Sequence, residues 1–415
     1  MSAATCERVT SRIAFAGPIR HVYVHVPFCR ERCDYCDFSS VAVGDPVCGR
    51  AGAEAARRLD RFVDAVAVEW EVERRAEDVR RVHTLYIGGG TPSLLGPVRL
   101  ERLLELFRPH LTPHAEVTVE TNPEDVDDRY AAWAASAPLG AAASAARGIR
   151  VSLGAQSFSP SLRAVLGRAT TTDPAGAYRR LRCAGVANLG LDLIHGIPGQ
   201  TPKLLDADIA GVVELRPDHV SWYELDVIEG TGLATRLGRE LDPAAMPADP
   251  NDDVRAAGYR RIVHELSGAG YDWYEVSNFA LAGRKARHNV AYWRARPYLG
   301  LGPGAVSTAA SRRWTNTPEP DVWAAALAAG EDPPRTAERI DAVARAEERL
   351  LLAARCGERV PLADLTAAVD PAAAAPLARA GLVSLHSGTI RVTRKGRHVA
   401  NEVCVRLFRT THLRG

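Results

Sequence analysis

Three closely spaced cysteines lie near the start of the 415-residue chain, at Cys29, Cys33 and Cys36. Thiolates spaced C-x3-C-x2-C can bind three corners of a four-iron cluster and leave the fourth iron open for chemistry. Arg30 and Arg32 lie among these cysteines, and cations at such positions are expected to make thiols easier to deprotonate. The segment therefore predicts a reactive iron–sulfur site.

Zinc is the main alternative, because closely spaced cysteines also bind this metal. A structural zinc site needs a fourth ligand, and His25 and Cys48 are the nearby candidates. His25 lies in the strand-like run 22–26, where it would be an ordinary core histidine. A disulfide with a spare thiol is disfavoured because nothing else in the sequence indicates secretion. On spacing alone, the cluster and the zinc site both stay open.

Composition excludes several classes of protein. The net charge of +2 gives no bulk electrostatic reason to bind nucleic acid. Most of the eight cysteines are scattered, which suits a reducing compartment better than a disulfide scaffold. Residues 1–17 lack the apolar core of a signal peptide, and no run is long and apolar enough to cross a membrane. We expect a cytoplasmic protein with no transmembrane segment, and peripheral membrane contact stays open.

Strand-like and helix-like stretches alternate along most of the chain. This alternation predicts a parallel sheet with helices outside it, and polar residues follow strands where parallel barrels place their sites. Predicted helices cover residues 54–81, 98–107, 161–166, 173–184 and 204–215. The predicted strands cover residues 22–26, 84–87, 116–120, 150–153, 189–194, 219–225 and 272–276.

The pattern changes after about residue 318. Short helices are followed by a predicted hairpin around Ser387-Gly388 and a closing helix over 395–408, an order typical of a winged-helix-like module. Segments 41–56 and 131–148 are interpreted as insertions. The hairpin region is basic, and a solvated surface is favoured there over a nucleic-acid contact because the chain is nearly neutral. The basic residues are Arg391, Arg394, Lys395 and Arg397.

Glycines and a carboxylate follow the second and third predicted strands. Gly89, Gly90 and Thr91 come after the second, where a glycine run lets backbone N–H groups approach a ligand closely. Glu120 ends the third strand and could accept a hydrogen bond from a ligand amine or ribose. Each feature alone has an ordinary explanation, a βα turn or a loop-stabilising acid.

Three further polar residues lie near the ends of later strands. Gln156 follows the fourth strand, and Arg168 lies in the segment after it. Asp192 lies inside an apolar strand, where a buried carboxylate is costly unless it is hydrogen-bonded. Each of the three alone has an ordinary structural explanation, and all lie near strand ends, where parallel barrels place their sites.

Residues 23–38 resemble the cluster loop of radical S-adenosylmethionine (SAM) enzymes, and more narrowly the branch related to oxygen-independent coproporphyrinogen III oxidase. The resemblance implies an α/β fold with a partial (β/α), TIM-like barrel and a smaller α+β, winged-helix-like C-terminal domain. It implies a [4Fe-4S] cluster on the three cysteines, SAM on the open iron and an electron donor as partner. The residues implied for SAM are Gly89, Gly90, Thr91, Glu120, Gln156, Arg168 and Asp192, with Tyr23 and Tyr35 packed nearby.

Two features resemble the HemW branch, whose members are heme chaperones. Phe38 stands where coproporphyrinogen oxidases carry another cysteine, and residues 288–293 read H-N-x-x-Y-W. The resemblance implies that His288 ligates heme iron while Tyr292 and Trp293 pack on the macrocycle. Without the resemblance, a histidine beside two aromatic residues is more often a packed core corner. Thr170 and Val306 replace histidines that are usual in this branch.

The implied domains are an N-terminal extension at residues 1–20, a barrel at 21–317 with a heme-associated segment at 271–307, and a HemN-type domain at 318–415. The leading hypothesis is a heme chaperone that passes heme to an acceptor protein. The alternatives are a radical SAM methyltransferase that binds two SAM molecules and an oxygen-independent coproporphyrinogen III oxidase. A zinc-stabilised winged-helix protein would explain the cysteines but not the polar series. No residue is assigned a catalytic role.

Overall fold

A twelve-stranded sheet forms the largest part of the molecule, with the strand order β14-β13-β12-β11-β1-β4-β5-β6-β7-β8-β10-β9. The computed structural model describes residues 17–46, 49–139, 148–168, 171–238 and 252–409. The strands of this sheet are β1 His21–Val26, β4 Val82–Gly89, β5 Leu111–Thr121, β6 Arg150–Gln156, β7 Asn188–His195, β8 His219–Glu224, β9 Asp272–Glu275, β10 Asn278–Ala280, β11 Tyr298–Leu301, β12 Val306–Ala309, β13 Arg312–Asn316 and β14 Arg335–Arg339. The shorter strands outside it are β2 Phe28–Cys29, β3 Val41–Ala42, β15 Val360–Pro361, β16 Val383–His386 and β17 Thr389–Val392.

Parallel strands form the centre of the sheet. β1 pairs in parallel with β4 and β11, and the parallel pairing continues through β8. In β7, residues 189–191 and 193–195 are buried, so both faces of this strand are covered, as is typical of parallel sheets. The flanking strands at both edges are antiparallel. The predicted partial barrel is therefore confirmed, and the antiparallel flanks are additions.

Helices cover the outside of the sheet. In α1, Leu59, Phe62, Val66 and Trp70 recur at helical spacing and are fully or almost fully buried. The helices are α1 Gly49–Ala76, α2 Gly96–Phe107, α3 Asp128–Ser136, α4 Pro160–Val165, α5 Pro174–Cys183, α6 Pro202–Leu215, α7 Gly232–Arg236, α8 Asp252–Gly268, α9 Arg287–Trp293, α10 Pro320–Ala328, α11 Ala342–Cys356, α12 Ala374–Arg379, α13 Arg394–Arg397 and α14 Ala400–Leu407. None of the helices in the described residues is long and apolar enough to serve as a membrane span.

A second hydrophobic core begins at Ala346 and joins α11, α12 and α14 to the sheet β15-β17-β16. The hairpin β16–β17 lies where the sequence predicted one, whereas the expected closing helix is two helices, α13 and α14. The domain boundary expected at residue 318 stays a prediction. Because α10 packs on α1 and β14 extends the large sheet, the packing favours a later boundary near residue 341.

The two segments interpreted as insertions contain regular structure. β3 pairs with β2, and α1 begins at Gly49, so much of segment 41–56 belongs to defined elements. Segment 131–148 begins within α3, and its residues 140–147 lie outside the described part. The N-terminal residues 1–16, Cys48 and Thr170 also lie outside it.

Candidate functional site

The carboxyl ends of the parallel strands surround a cavity of about 590 Å³. It lies where parallel barrels place their sites, because the loops after successive strands meet at this edge. All of the residues predicted to hold the cluster or SAM line it, except Tyr23. They are Cys29, Cys33, Tyr35, Cys36, Gly89, Gly90, Thr91, Glu120, Gln156, Arg168 and Asp192.

The three cysteines of the loop are free thiols that face this cavity. The Thr91 hydroxyl donates to Sγ of Cys29 over 3.5 Å, and the Cys36 N–H donates to the carbonyl of Cys33 over 3.2 Å. The pairing of β2 with β3 fixes the entry to the loop, because it hydrogen-bonds Phe28–Cys29 to Val41–Ala42. The loop thus presents its sulfur atoms from a constrained backbone.

The expectation that neighbouring arginines activate the thiols is wrong for Cys29 and Cys36. Burial raises the pKa of both thiols, and hydrogen bonds offset this effect only in part. Arg30 forms an ion pair with Asp125, and Arg32 is an exposed residue that donates to the Cys36 carbonyl. The charge of Arg32 does lower the pKa of Cys36, as the sequence predicted, but by less than burial raises it.

The surroundings of the cysteines fit an iron–sulfur cluster better than a single zinc ion. The Tyr23 hydroxyl bonds to Nδ1 of His25 over 3.0 Å, and Nε2 of His25 bonds to the Ser39 carbonyl over 2.8 Å, so both ring nitrogens are engaged. Within the described residues, no three His, Cys, Asp or Glu side chains converge on one ion-sized position. A cluster does not need such convergence, because each thiolate binds a different iron.

Glycine is required at the end of β4 because the backbone there lies close to the cysteine loop. A Cβ on Gly90 would lie 2.6 Å from the Phe28 carbonyl oxygen and 3.0 Å from Sγ of Cys29. Gly89 has φ of +114°, a conformation that side-chain-bearing residues rarely adopt. The run therefore brings backbone atoms at the end of β4 against the cysteine loop.

Glu120 is held in place at the end of β5. Its Oε1 accepts from the Tyr86 hydroxyl over 2.7 Å and its Oε2 from the Gly89 N–H over 3.0 Å. Burial raises the pKa of Glu120 to about 7, although the hydrogen bond from Tyr86 opposes this rise. Tyr86 also lines the cavity and was missed from the sequence, where its strand showed only an apolar run.

Gln156 and Asp192 each have a feature that is typical of binding sites, backbone strain in the first and an unpaired buried oxygen in the second. Gln156 has φ of +62°, a left-handed conformation that costs free energy in a non-glycine residue, and it lies at a register shift between β6 and β7. Oδ1 of Asp192 is buried and has no hydrogen-bond partner among the described residues. Burial raises the pKa of this carboxyl group. An unpaired acceptor on a cavity wall suits a ligand that donates.

Arg168 connects the cysteine loop to the barrel. Its Nε donates to Sγ of Cys33 over 3.2 Å, while its Nη1 donates to Oδ1 of Asn122 over 2.7 Å and to the Gly154 carbonyl over 2.9 Å. The loop is held at a second point, where the N–H of Asp34 donates to the Leu166 carbonyl over 3.1 Å. Asn122 lines the cavity and was not singled out from the sequence.

Tyr23 and Phe38 take positions around the cavity rather than on its floor. Tyr23 packs against Tyr86 with ring centroids 6.0 Å apart, behind the cavity wall. Phe38 lines the mouth and is 57% exposed. Val306 lies elsewhere, in an apolar cluster with Tyr292 and Tyr298.

The predicted heme residues lie apart from the cysteine cavity and on two faces of α9. His288 and Tyr292 are four residues apart, and their rings contact each other inside the barrel with centroids 5.1 Å apart. Nδ1 of His288 bonds to the Thr84 hydroxyl over 2.8 Å, and its buried Nε2 has no partner in the described residues. Trp293 lies on the other face and lines a second cavity, between the barrel and the C-terminal domain.

The chain is similar to known proteins over most of its length. The radical SAM superfamily profile matches residues 23–209, and the HemN C-terminal domain profile matches residues 340–399. The heme chaperone HemW of Mycobacterium tuberculosis strain H37Rv is 39% identical over 92% of this chain and 93% of its own length. The heme chaperone HemW of Escherichia coli K12 is 33% identical over 69% of this chain and 70% of its own length.

A solved structure shares the fold. The radical SAM enzyme coproporphyrinogen III oxidase (HemN) from Escherichia coli superposes with a TM-score of 0.74 at 23% identity, covering 95% of this chain and 91% of that chain. At this identity the likeness concerns the fold, with both the barrel and the C-terminal domain included.

Proposed function

The chain belongs to the HemW family of the radical SAM superfamily, and we propose that it binds a [4Fe-4S] cluster, SAM and heme and passes the heme to an acceptor protein. The observation that carries this proposal is the similarity to a HemW protein at 39% identity along 92% of the chain. Fold likeness alone would leave the function open, because one fold serves many functions.

The cysteine cavity is the proposed cluster and SAM site. Cys29, Cys33 and Cys36 would hold three irons, and no fourth protein ligand is available from His25, whose ring nitrogens are both engaged. The chemistry that such a site supplies when loaded is one-electron cleavage of SAM. An electron donor is therefore a proposed partner.

The remaining cavity residues are proposed to position SAM. Glu120 and Asp192 supply acceptors for the amine or ribose hydroxyls, and the backbone at Gly89 and Gly90 allows close approach of the methionine end. Thr91, Gln156 and Tyr35 complete the wall, with Tyr23 behind it. Arg168 holds the cysteine loop against the edge of the barrel through its three hydrogen bonds.

The heme site is proposed on the segment that contains α9. Trp293 reaches a cavity directly and can pack on a macrocycle there. His288 stays a predicted iron ligand and Tyr292 a predicted contact of the macrocycle, but both rings point into the barrel, so ligation by His288 requires α9 to turn. In the proposal, Trp293 can therefore contact heme without any movement of α9, whereas His288 can do so only after α9 turns.

Location and partners follow from the same proposal. An open iron–sulfur cluster survives in a reducing compartment, so a cytoplasmic location is proposed. The exposed Phe38 at the mouth of the cluster cavity is the proposed contact for a partner protein. The heme acceptor is a second protein partner.

The test is a heme titration of anaerobically reconstituted protein, followed by absorbance and run alongside an assay for 5′-deoxyadenosine. We expect about four irons per chain and saturable binding of heme at one site. Stoichiometric zinc without iron would favour the zinc-stabilised alternative. A loaded cluster without heme binding would overturn the chaperone proposal and favour a methyltransferase or an oxidase.

A further inference from the structure

The second cavity has a volume of about 460 Å³ and lies between the barrel and the C-terminal domain. This volume is in the range of small-molecule sites, which concentrate at domain interfaces. Both domains line it: the barrel supplies Trp273, Tyr274 and Trp293, and the C-terminal domain supplies Cys356 and Arg391. The predicted cluster and SAM residues all lie elsewhere.

Cations on the wall of this cavity outnumber the carboxylates available to them. Lys285 and Arg294 have acidic partners, Asp272 at 2.7 Å and Glu358 at 2.7 Å. In the described residues, Arg391, Arg394 and Arg397 line the same cavity without forming an ion pair, although the charge of Asp272 acts on Arg397.

The contacts of these three arginines leave two of them available. Arg397 stacks on Trp273, with its guanidinium carbon 3.7 Å from the ring centroid, and donates to the Trp273 carbonyl. Arg394 lies 5.2 Å from the same ring centroid and donates to the Ser267 hydroxyl. Arg391 is exposed, and its side chain makes no hydrogen bond or ion pair within the described residues. Clustered cations without acidic partners indicate an anionic ligand.

The aromatic wall indicates that this ligand is flat. Trp293 and Tyr274 meet edge to face with centroids 5.6 Å apart, and Trp293 is only half-buried. On α9, Val290 and Arg294 share the cavity with Trp293, whereas His288 and Tyr292 point the other way. The accessible face of the H-N-x-x-Y-W helix is therefore the Trp293 face.

We propose that heme binds in this interdomain cavity, with its ring against Trp293, its carboxylates at Arg391 and Arg394, and its iron at the thiol of Cys356. This inference rests on the proposed heme-binding function and adds the site. It differs from ligation by His288, because it uses side chains that line the cavity as the structure stands.

Cys356 is the lining residue best suited to iron. Among residue types that ligate heme iron, the described lining contains Cys356 and Tyr274. The Tyr274 hydroxyl is engaged, at 2.6 Å from Nε2 of His219 and 3.2 Å from the N–H of Ala286. Burial raises the pKa of the Cys356 thiol to about 12, so the free thiol is protonated. Binding to ferric iron would replace its S–H bond with an Fe–S bond and release the proton to solvent, with no change in oxidation state.

The test compares full-length, cluster-loaded variants in titrations with ferric heme and with iron-free protoporphyrin IX. The charge-reversal variant is R391E/R394E. Its matched control is R359E/R379E, which changes two exposed arginines of the same domain that do not line the cavity. We expect the first pair to weaken binding of both porphyrins by roughly tenfold or more and the control pair to leave it unchanged. Iron content and urea unfolding confirm that each variant is folded.

Cys356→Ser and His288→Ala separate the two candidate ligands. We expect Cys356→Ser to change the absorption spectrum of bound ferric heme while protoporphyrin binding stays intact, and His288→Ala to leave the spectrum unchanged. If R391E/R394E binds heme as tightly as the wild type, heme does not bind in the interdomain cavity. If the heme spectrum is lost only in His288→Ala, Cys356 is not the iron ligand. Failure of the wild-type protein to bind heme would instead overturn the proposed function.

Discussion

Nε of Arg168 lies 3.2 Å from Sγ of Cys33, although 135 residues separate them in the chain. The same guanidinium donates to Asn122 and to the Gly154 carbonyl, so one side chain joins the cysteine loop to the ends of β5 and β6. This relationship places a fixed positive charge beside one of the proposed cluster ligands. It makes Arg168 a means of tuning the cluster as well as positioning its loop.

Replacing Arg168 should lower the reduction potential of the reconstituted cluster. The reduced cluster carries one more negative charge, and an N–H···S bond from a cation stabilises it. For Arg168→Gln we expect a decrease of about 60 mV, the one-electron equivalent of about 1.4 kcal/mol and the low end for a charged hydrogen bond. The measurement is a redox titration followed by electron paramagnetic resonance. The exposed Arg32 provides the control, and an equal shift in Arg32→Gln would contradict a specific role for Arg168.

SAM affinity should rise with pH through the titration of Glu120. Burial raises the pKa of Glu120 to about 7, and a cationic or hydrogen-donating ligand prefers the carboxylate. Deprotonation between about pH 6 and pH 8 should therefore strengthen binding roughly tenfold. Calorimetry under anaerobic conditions measures this, and Glu120→Gln should bind weakly with a flat pH response. Glu124→Gln, at the exposed rim of the cavity, should bind SAM with the affinity and pH response of the wild type. If Glu120→Gln also binds SAM as the wild type does, Glu120 is not a SAM ligand.

Gln156→Gly should stabilise the fold and weaken SAM binding. The left-handed φ of Gln156 is unfavourable with a side chain, so glycine should add about 1 kcal/mol to the free energy of unfolding in urea. Ser387, with φ of +48° in the exposed turn between β16 and β17, is the matched position. Ser387→Gly should give a similar gain without affecting SAM. A Gln156→Gly protein that is less stable, or that binds SAM normally, would show that the strain has no binding role.

Stability should fall as the pH drops below about 6.5, because His288 is buried in its neutral form. Burial lowers the pKa of His288 to about 3, so the unfolded chain binds this proton and the folded protein does not. His21 and His195, whose pKa values burial lowers to about 4, act in the same direction. His288→Gln should reduce the loss of unfolding free energy by about 1.4 kcal/mol per pH unit between about pH 6 and pH 4. The exposed His114→Gln is the control, and an unchanged slope in His288→Gln would refute the assignment.

The sequence predicted the barrel and most of the cysteine cavity because both depend on local pattern. Apolar runs such as Leu189, Leu191 and Leu193 end in glycine or polar residues, and parallel strands bring those ends together. The sequence alone therefore predicts that Gly90, Glu120 and Asp192 lie on one edge of the sheet. The short strands β11–β14, of which β11 pairs in parallel with β1 and the others are antiparallel, were missed from the sequence.

Other features could not be predicted because they depend on three-dimensional packing. The pKa values of Cys29 and Cys36 follow burial rather than the adjacent arginines. The contact between Arg168 and Cys33 joins distant segments. His288 and Trp293 looked like one cluster in sequence, yet α9 directs them into the barrel and into the interdomain cavity respectively. Once the segment is known to be helical, its spacing explains that separation.

The central claim is that this chain holds heme in a form that a second protein can take. Heme-loaded, cluster-reconstituted protein mixed with excess apomyoglobin tests it directly, because the two bound forms of heme absorb differently. We predict binding of one heme per chain and complete transfer to apomyoglobin, faster from R391E/R394E than from wild type. Heme that stays on the protein in the presence of excess acceptor, or wild-type protein that never binds heme stoichiometrically, would contradict the account.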